Sequence, residues 1–407
     1  MYFTPILRAL RHHRIAVALL VLEIAFSCAV ICNALFLIGT RLERMQRPSG
    51  VDESHLVQVD VRGITPGSPE SLMAQTRTDL AALRGIPDVA NVAIVNQTLF
   101  GHHFSASGVG LSDDLKAPQT VVTQYMGSAQ LLDTLGLKLV AGRQFNANEF
   151  ISSAQMDAGS SSVPVIISRA LANHLFPGQQ AAGKTIYVFG ANRVVGVVNR
   201  LVQPRDYGPA DHYGYSMMFP VNMPYPRGVY LLRVKDATQR QAVIQKAMHA
   251  LKTDGPLRLV SPKNATTLEA ARAKYYRNDR AMAWLLVGVC LLLLVVTAMG
   301  IVGLTSFWVA QRRRQIGIRR AIGATRGDIL AYFQTENFLI STGGIVLGMG
   351  LAYGINLLLM SHYELGRLPG YYFPIGAVTL WVLGQLAVLG PALRAAAVPP
   401  VVATRGV

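Results

Sequence analysis

Four stretches of this chain are too long and too apolar for a water-soluble core, and they lie at its two ends, so the middle must fold in a different solvent from its flanks. Ile15 to Ile38 is one apolar run broken only by Glu23 and small polar residues. As a helix rising about 1.5 Å per residue it reaches across a hydrocarbon core of roughly 30 Å. Ala281 to Val309 is a second such run, with Trp284 and Trp308 near its ends, where indole rings favour the membrane interface. Phe333 to Met360 is a third. Ile375 to Leu389 is shorter, and reaches spanning length when Tyr371, Tyr372 and Phe373 or the Ala395 to Val398 stretch join it. Composition agrees: 51% of the 407 residues are hydrophobic and 15% charged, where a soluble domain carries about 25% charged residues.

The net charge of +16 raises nucleic acid as a partner, but the positions of the arginines speak for topology instead. Arg312, Arg313, Arg314, Arg319, Arg320 and Arg326 crowd the connection after the second run against Asp328 alone, which under the positive-inside rule places it in the cytoplasm. Arg8, Arg11 and Arg14 put the N-terminus on the same side, and Arg394 and Arg405 agree for the C-terminus after four spans. Arg41, Arg44 and Arg47 argue weakly the other way, but they flank a very long loop, where such counts carry little weight. The first run outlasts a typical signal-peptide core and no small-x-small cleavage pattern closely follows it, so it reads as a retained span. Cys28, Cys32 and Cys290 all fall in spans, so the outer segment has no disulfides and must rely on its own core.

The expected division is a cytoplasmic amphipathic start (1–14), spans at 15–40, 281–309, 329–360 and 373–390, and an outer domain at 41–280. A cytoplasmic loop at 310–328, a short outer loop at 361–372 and a cytoplasmic tail at 391–407 complete it. The outer domain reads as α/β: strand Leu56 to Val61, helix Pro69 to Leu83 and strand Val89 to Val95, then much later strand Val229 to Val234, helix Thr238 to Leu251 and strand Leu257 to Val260. Two β-α-β units parted by an insertion at about 98–226 predict a split ferredoxin-like layer with an inserted β-rich lobe. Within the insertion, Val163 to Ser168 leads into a short helix, Arg169 to Phe176, and Thr185 to Phe189 pairs with Arg193 to Val198. Ala154 to Ser162 is small and polar and reads as a mobile loop.

Gly178 to Thr185, GQQAAGKT, matches the phosphate-loop pattern in full. A phosphate loop needs a buried strand before it and a helix after it, so that loop amides and a helix N-terminus cradle the phosphates. Here a helical segment precedes it and the β-rich TIYVF follows, so it reads as a turn. His102-His103 reads as a polar turn rather than a metal site, and no catalytic triad, metal cluster or cofactor motif has a credible context. Glu23 is costly in lipid and therefore a candidate functional group, but it reads first as pairing within the bundle or reaching a hydrated interface. Gly344, Gly348, Gly350 and Gly354 permit close helix approach, with dimer contact and intrachain packing equally open. Ile6, Leu7 and Leu10 with the early arginines make an amphipathic start that lies along the inner membrane surface, with contact to a cytoplasmic partner left open.

In QRRRQIGIRRAIGATRGDI, Gln311 to Ile329, residues Ile316, Arg320 and Gly323 fall at helical spacing, as do Ile318 and Ile322. A short amphipathic helix able to dock on a cytoplasmic partner is expected, since a pure topology signal needs no apolar face. This run, followed by Glu336 in YFQTENFLI and a glycine-rich third span, resembles the C-terminal half of MacB/FtsX-type permeases of the ABC transporters. The closing PALRAAAVPPVVATR resembles the family's Pro-Ala-x-x-Ala-Ala ending, and LVAGRQFNANEF, VPVIISRALANHLFP, GKTIYV and RVVGVV look like its MacB-type periplasmic core.

The resemblance implies an inner-membrane α-helical protein with four transmembrane helices and a large α/β periplasmic ectodomain. It implies a homodimer or heterodimer whose coupling helix rests on a separate cytoplasmic ATPase that binds ATP and Mg, no cofactor being held by this chain. The contact set expected from it is Arg313, Arg314, Gln315, Ile316, Gly317, Ile318, Arg319, Arg320, Ile322 and Gly323. The further partners implied are membrane lipids, a periplasmic membrane-fusion adaptor and a TolC-type outer-membrane channel, with no nucleic acid. Gln315 departs from the family, which often has Glu there, and the fused ATPase of MacB itself is missing from this sequence. Export or extrusion is the leading function. A non-transporting regulator of envelope enzymes and a lipoprotein-release permease are the alternatives.

Overall fold

The computed structural model describes residues 14–398 except 102, 115–118, 159–161, 206–209, 254 and 364–365. The chain divides into two units, residues 48–277 and the two flanks taken together. In the flanking unit the first helix, α1, runs Arg14–Gln46, continuing past its apolar run through the charged RLERMQ.

In the extramembrane unit, β1 (Leu56–Gly63), α2 (Pro69–Arg84) and β2 (Val89–Val95) form the first β-α-β unit. Ser68 caps α2 by accepting from the amide of Ser71, and Pro69 opens the first turn, where its missing N–H costs nothing. The insertion contributes β3 (Ala106–Val109), β4 (Thr120–Gly127), α3 (Leu131–Leu135), β5 (Leu139–Gly142), β6 (Ile151–Ser152), α4 (Ser153–Asp157), β7 (Val165–Ser168), α5 (Arg169–Leu175), β8 (Thr185–Tyr187), β9 (Ala191–Val198) and β10 (Ser216–Asn222). The second unit is β11 (Val229–Val234), α6 (Arg240–Thr253) and β12 (Arg258–Thr267), and α7 (Leu268–Tyr275) leads out of it.

The sheet runs β12-β1-β11-β2 and then continues β4-β10-β7-β9-β5. Its first four strands have the order and antiparallel pairing of a ferredoxin-like layer. The inserted lobe prolongs that sheet rather than standing apart from it. The join is narrow: Val95 faces Gly127, and Asn96 laces the two strands together by accepting from the amide of Met126 at 2.9 Å and donating to the carbonyl of Gln124 at 3.1 Å.

Two segments differ from expectation. Of the stretch expected as a mobile loop, Ala154 to Ser162, residues 159–161 lie outside the described residues and Ser153–Asp157 is a helix, because Ser152 and Gln155 form a reciprocal cap: the Ser152 hydroxyl accepts from the Gln155 amide and the Gln155 side chain accepts from the Ser152 amide. β12 extends to Thr267 although Pro262 lies inside it. It is an edge strand paired to β1 alone, and the register shift between Val59 and Val61 accommodates the proline.

A fully buried ion pair ties the two β-α-β units together. Arg258 of β12 donates to both oxygens of Asp79 of α2, at 2.5 and 2.9 Å, and to the carbonyl of Leu251 at 2.6 Å. Tyr230 of β11 donates to Asp79 at 2.5 Å. Burial and the neighbouring carboxylate push the Tyr230 hydroxyl well above its ordinary value, so it stays a donor. Nearer the ends of the unit, Arg272 of α7 donates to Glu53 at 2.5 Å and Arg233 of β11 to Asp52 at 3.0 Å, fixing the segment that precedes β1.

The flanking unit is completed by α8 (Arg277–Gln311), α9 (Arg313–Ala321), α10 (Arg326–Tyr363) and α11 (Tyr372–Ala396). With α1, the helices α8, α10 and α11 are long and apolar enough to cross a membrane. α11 runs on through Pro391 to Ala396, further than expected, and buries Pro391, Ala392, Ala395 and Ala396. Gly344 and Gly348 of α10 face α1. A Cβ on Gly344 would lie 2.7 Å from the Ile24 side chain, and one on Gly348 would lie 2.6 Å from the Ala25 carbonyl. These two glycines therefore serve packing within the chain, whereas nothing lies within 4 Å of Gly350 or Gly354. Glu23 packs against Gly300 of α8 and pairs with no cation among the described residues. α8 is the least covered span, with 17% of its apolar window buried against 44% for α1.

Candidate functional site

The connection between the second and third spans is ordered by its own sequence. α9 follows α8 after Arg312 and stops at Gly323, whose φ of 109° glycine adopts without strain. α10 then opens with a reciprocal cap, Asp328 accepting from the Thr325 amide at 2.9 Å and Thr325 accepting from the Asp328 amide at 3.2 Å.

α9 presents two faces. Ile316 is 5% exposed and joins the apolar cluster that contains Ile329, Tyr332 and Phe333 of α10, and Gly317 is buried beside it. On the other side, Ile318 is 45% and Ile322 81% exposed, with Arg314 and Ala321 at the matching helical spacing. Such an apolar stripe, left uncovered on a helix that carries arginines, is what a docking surface requires.

Three arginines anchor the element. Arg312 donates to both oxygens of Glu336, at 3.1 and 3.2 Å, and lies over the Trp308 ring at 5.6 Å. That pair accounts for a carboxylate only 1% exposed in a spanning helix, where a lone charge would be costly. Arg319 lies over the Tyr332 ring at 5.1 Å. Arg320 donates to the carbonyls of Ala396 and Val398, at 2.8 and 3.1 Å, where the end of α11 leaves its last carbonyls without helical partners. A displacement of α9 thus bears on α10 through Ile316 and Arg312, and on α11 through Arg320.

Of the expected contact set, Arg313, Arg314, Gln315, Ile318, Arg319, Ile322 and Gly323 are exposed. Ile316 and Gly317 point inward and Arg320 is half-buried on α11, so these three lie on the packed side of the helix rather than its exposed side. Sequence reasoning missed the Arg312–Glu336 pair. Its signal was present, since a glutamate within an apolar run needs a cation.

The other candidates resolve simply. GQQAAGKT folds as a turn between α5 and β8, with Lys184 bonded to Gln179 and lying over the Phe176 ring, so neither neighbour of a phosphate loop is in place. His103 is largely exposed, 4.0 Å from Asp60, and His102 lies outside the described residues. Among the described residues no group of three His, Cys, Asp or Glu is placed to hold a metal. The amphipathic start through residue 13 and Arg405 also lie outside the described residues.

Residues 18–250 match the family model of the MacB-like periplasmic core domain, and residues 287–400 that of the FtsX-like permease C-terminal region. The macrolide export ATP-binding/permease protein MacB of Chromobacterium violaceum is 27% identical over 285 residues, 65% of this chain and 40% of that protein. The chain thus spans about two fifths of the length of that relative. The uncharacterized ABC transporter permease YknZ of Bacillus subtilis is 24% identical over 344 residues, 81% of this chain and 79% of that one. Among solved structures, the periplasmic region of MacB from Actinobacillus actinomycetemcomitans aligns over 57% of this chain and 97% of its own, with 13% identity and a TM-score of 0.33.

Proposed function

Because the chain belongs to the MacB- and FtsX-type permeases of ABC transporters, we propose that it carries motion from a separate cytoplasmic ATPase to an extracytoplasmic domain, driving export or extrusion of a small molecule, peptide or lipid-linked cargo. The observation that carries this reading is the exposed Ile318–Ile322 stripe on a helix braced from behind by Ile316, Arg312 and Arg320. A push on that stripe bears on α10 and α11 together instead of being absorbed by a soft loop. ATP and Mg bind in the partner ATPase, and this chain supplies the lever. In this reading α9 lies on the cytoplasmic side of an inner membrane, with both termini there and the α/β domain in the periplasm, and the arginines after α8 support it.

The family works as a dimer, and the sparsely covered face of α8, with Leu292, Val295 and Met299 exposed, is where lipid or a second permease chain meets this one. A periplasmic adaptor and a TolC-type channel complete the proposed assembly. The export reading draws on the relatives named as macrolide export proteins.

Co-purification with the ATPase tests the docking. Ile318→Asp with Ile322→Asp places charge on the exposed stripe without touching the core, and loss of the ATPase from the purified complex is expected. A complex that survives the double substitution overturns the reading. Ile316→Asp does not serve, because burying that charge disrupts the helix itself.

A further inference from the structure

The inner face of α9 borders a cleft that the docking reading does not use. Arg312, Gln315, Ile316 and Arg319 line it from one side and Ile329, Tyr332 and Phe333 of α10 from the other. It holds about 190 Å³, well beyond the ~10–15 Å³ that a single water needs. Its floor is apolar, since Ile316, Ile329, Tyr332 and Phe333 are all buried. Its polar lining is Arg312, Gln315 and Arg319, spaced three, four and seven residues apart and therefore on one side of the helix.

Charge and position specify an occupant. Glu336 pairs with Arg312 and also feels the charge of Arg319, so one carboxylate faces two guanidinium groups, and the exposed Arg313, Arg314 and Arg326 nearby form no ion pair among the described residues. Asp328 is turned to the Thr325 cap. The cleft therefore keeps a net positive charge. Ile329, Tyr332 and Phe333 lie in the first two turns of α10, where the apolar run of that span begins, so the cleft sits at headgroup depth, polar toward water and apolar toward the acyl region. Basic pockets between spanning helices at this depth suit anionic headgroups.

We propose that this cleft binds the headgroup of an anionic phospholipid, its phosphodiester held by Arg319 and Gln315 and its glycerol end resting on Ile329 and Phe333. The occupant makes α9 sensitive to the lipid around it, from the flank of the helix that lies between the docking stripe and the buried face. The proposal rests on α9 lying at a membrane surface, as does the coupling reading, but it does not need an ATPase.

The test uses the full-length permease in mild detergent with no ATPase present, titrated with phosphatidylglycerol or with phosphatidylcholine of the same chains, bound lipid being counted by native mass spectrometry. Phosphatidylglycerol should be preferred, and Arg319→Gln should weaken it about fivefold, the contribution of one arginine near a charged membrane surface. Arg314→Gln, the same charge change on the outer stripe, should leave it near its original value. Gln315→Trp, which fills the mouth from an exposed position without changing charge, should weaken it as well. Equal effects of Arg319→Gln and Arg314→Gln, no preference over phosphatidylcholine, full binding by Gln315→Trp, or displacement by equimolar inorganic phosphate would each overturn the proposal. None of these outcomes bears on ATPase docking, which is read separately from co-purification.

Discussion

Asp79→Ala should be the most destabilising single change in the extramembrane domain. The substitution takes the carboxylate from the Arg258 guanidinium, whose side chain is 1% exposed and which keeps the Leu251 carbonyl and the Tyr225 ring but no counter-charge, and removes the acceptor of the Tyr230 hydroxyl. Breaking a buried pair by removing one partner costs about 3–5 kcal/mol, because the remaining charge stays buried and uncompensated. At 1.4 kcal/mol per tenfold, that is a fall of roughly two to three and a half decades in the equilibrium that protects the central strands. Hydrogen exchange of the full-length protein in detergent reads this directly: amides of β1 and β11 should lose protection by that amount, while the spanning helices keep theirs. Replacing both partners by apolar residues, Asp79→Leu with Arg258→Met, should recover a large part of the loss, since no charge is then stranded. The reasoning fails if Asp79→Ala changes protection by less than about tenfold, or if the double variant is worse than the single one.

Gly348→Val should impair the packing of α1 on α10 and lower the thermal stability of the solubilised protein, because a Cβ there meets the Ala25 carbonyl at 2.6 Å; Gly350→Ala, with nothing within 4 Å, should be neutral. Burial tends to raise the Asp52 carboxyl, but hydrogen bonds from Ser54, His55 and Arg233 prevail and hold it at about 2, below its ordinary 3.8. The stability this contributes is complete above about pH 4 and is lost as pH falls toward 2; Asp52→Asn should therefore lower stability at neutral pH and flatten that part of an acid unfolding curve, the two proteins converging as pH nears 2. Arg320→Met should release the end of α11 and raise exchange in α9 and in residues 392–396, since hydrogen bonds from a charged donor contribute about 1.5–3 kcal/mol. Lys184→Ala should leave a fluorescent ATP analogue's interaction with the purified permease unchanged, and a measurable loss would restore the phosphate-loop reading of GQQAAGKT.

The spans and the β-α-β halves were legible because each rests on a local signal. Apolar length marks a membrane helix, and alternation against a 3.6-residue stripe separates Val89–Val95 from Arg240–Thr253. What escaped was long-range. Nothing near Asp79 in sequence announces Arg258, 179 residues away, and nothing near Arg320 announces the carbonyl of Ala396. The short helix after Ser152 escaped for the opposite reason, because a small, polar stretch hid its Ser-x-x-Gln cap. In the site itself, periodicity identified a helix with apolar residues but could not say which of Ile316 and Ile318 looked inward. That depends on where α10 packs, and the answer divides the expected contact set into a supporting side and an exposed one.

The claim at the centre is that ATP-driven movement reaches the extracytoplasmic domain through α9. A distance measurement between the two extracytoplasmic domains of the assembled dimer tests it. Spin labels at Gln180→Cys, an exposed position, would be read by pulsed electron resonance in the intact complex with its ATPase, the native cysteines replaced. The account predicts that the interdomain distance distribution shifts between the nucleotide-free and ATP-bound complex, and that a variant with Arg312→Met, Glu336→Gln and Arg320→Met, which keeps the docking stripe and strands no buried carboxylate but loosens the bracing, holds the ATPase yet loses the shift. An unchanged distribution in the unmodified complex, or a full shift in the loosened variant, would contradict it.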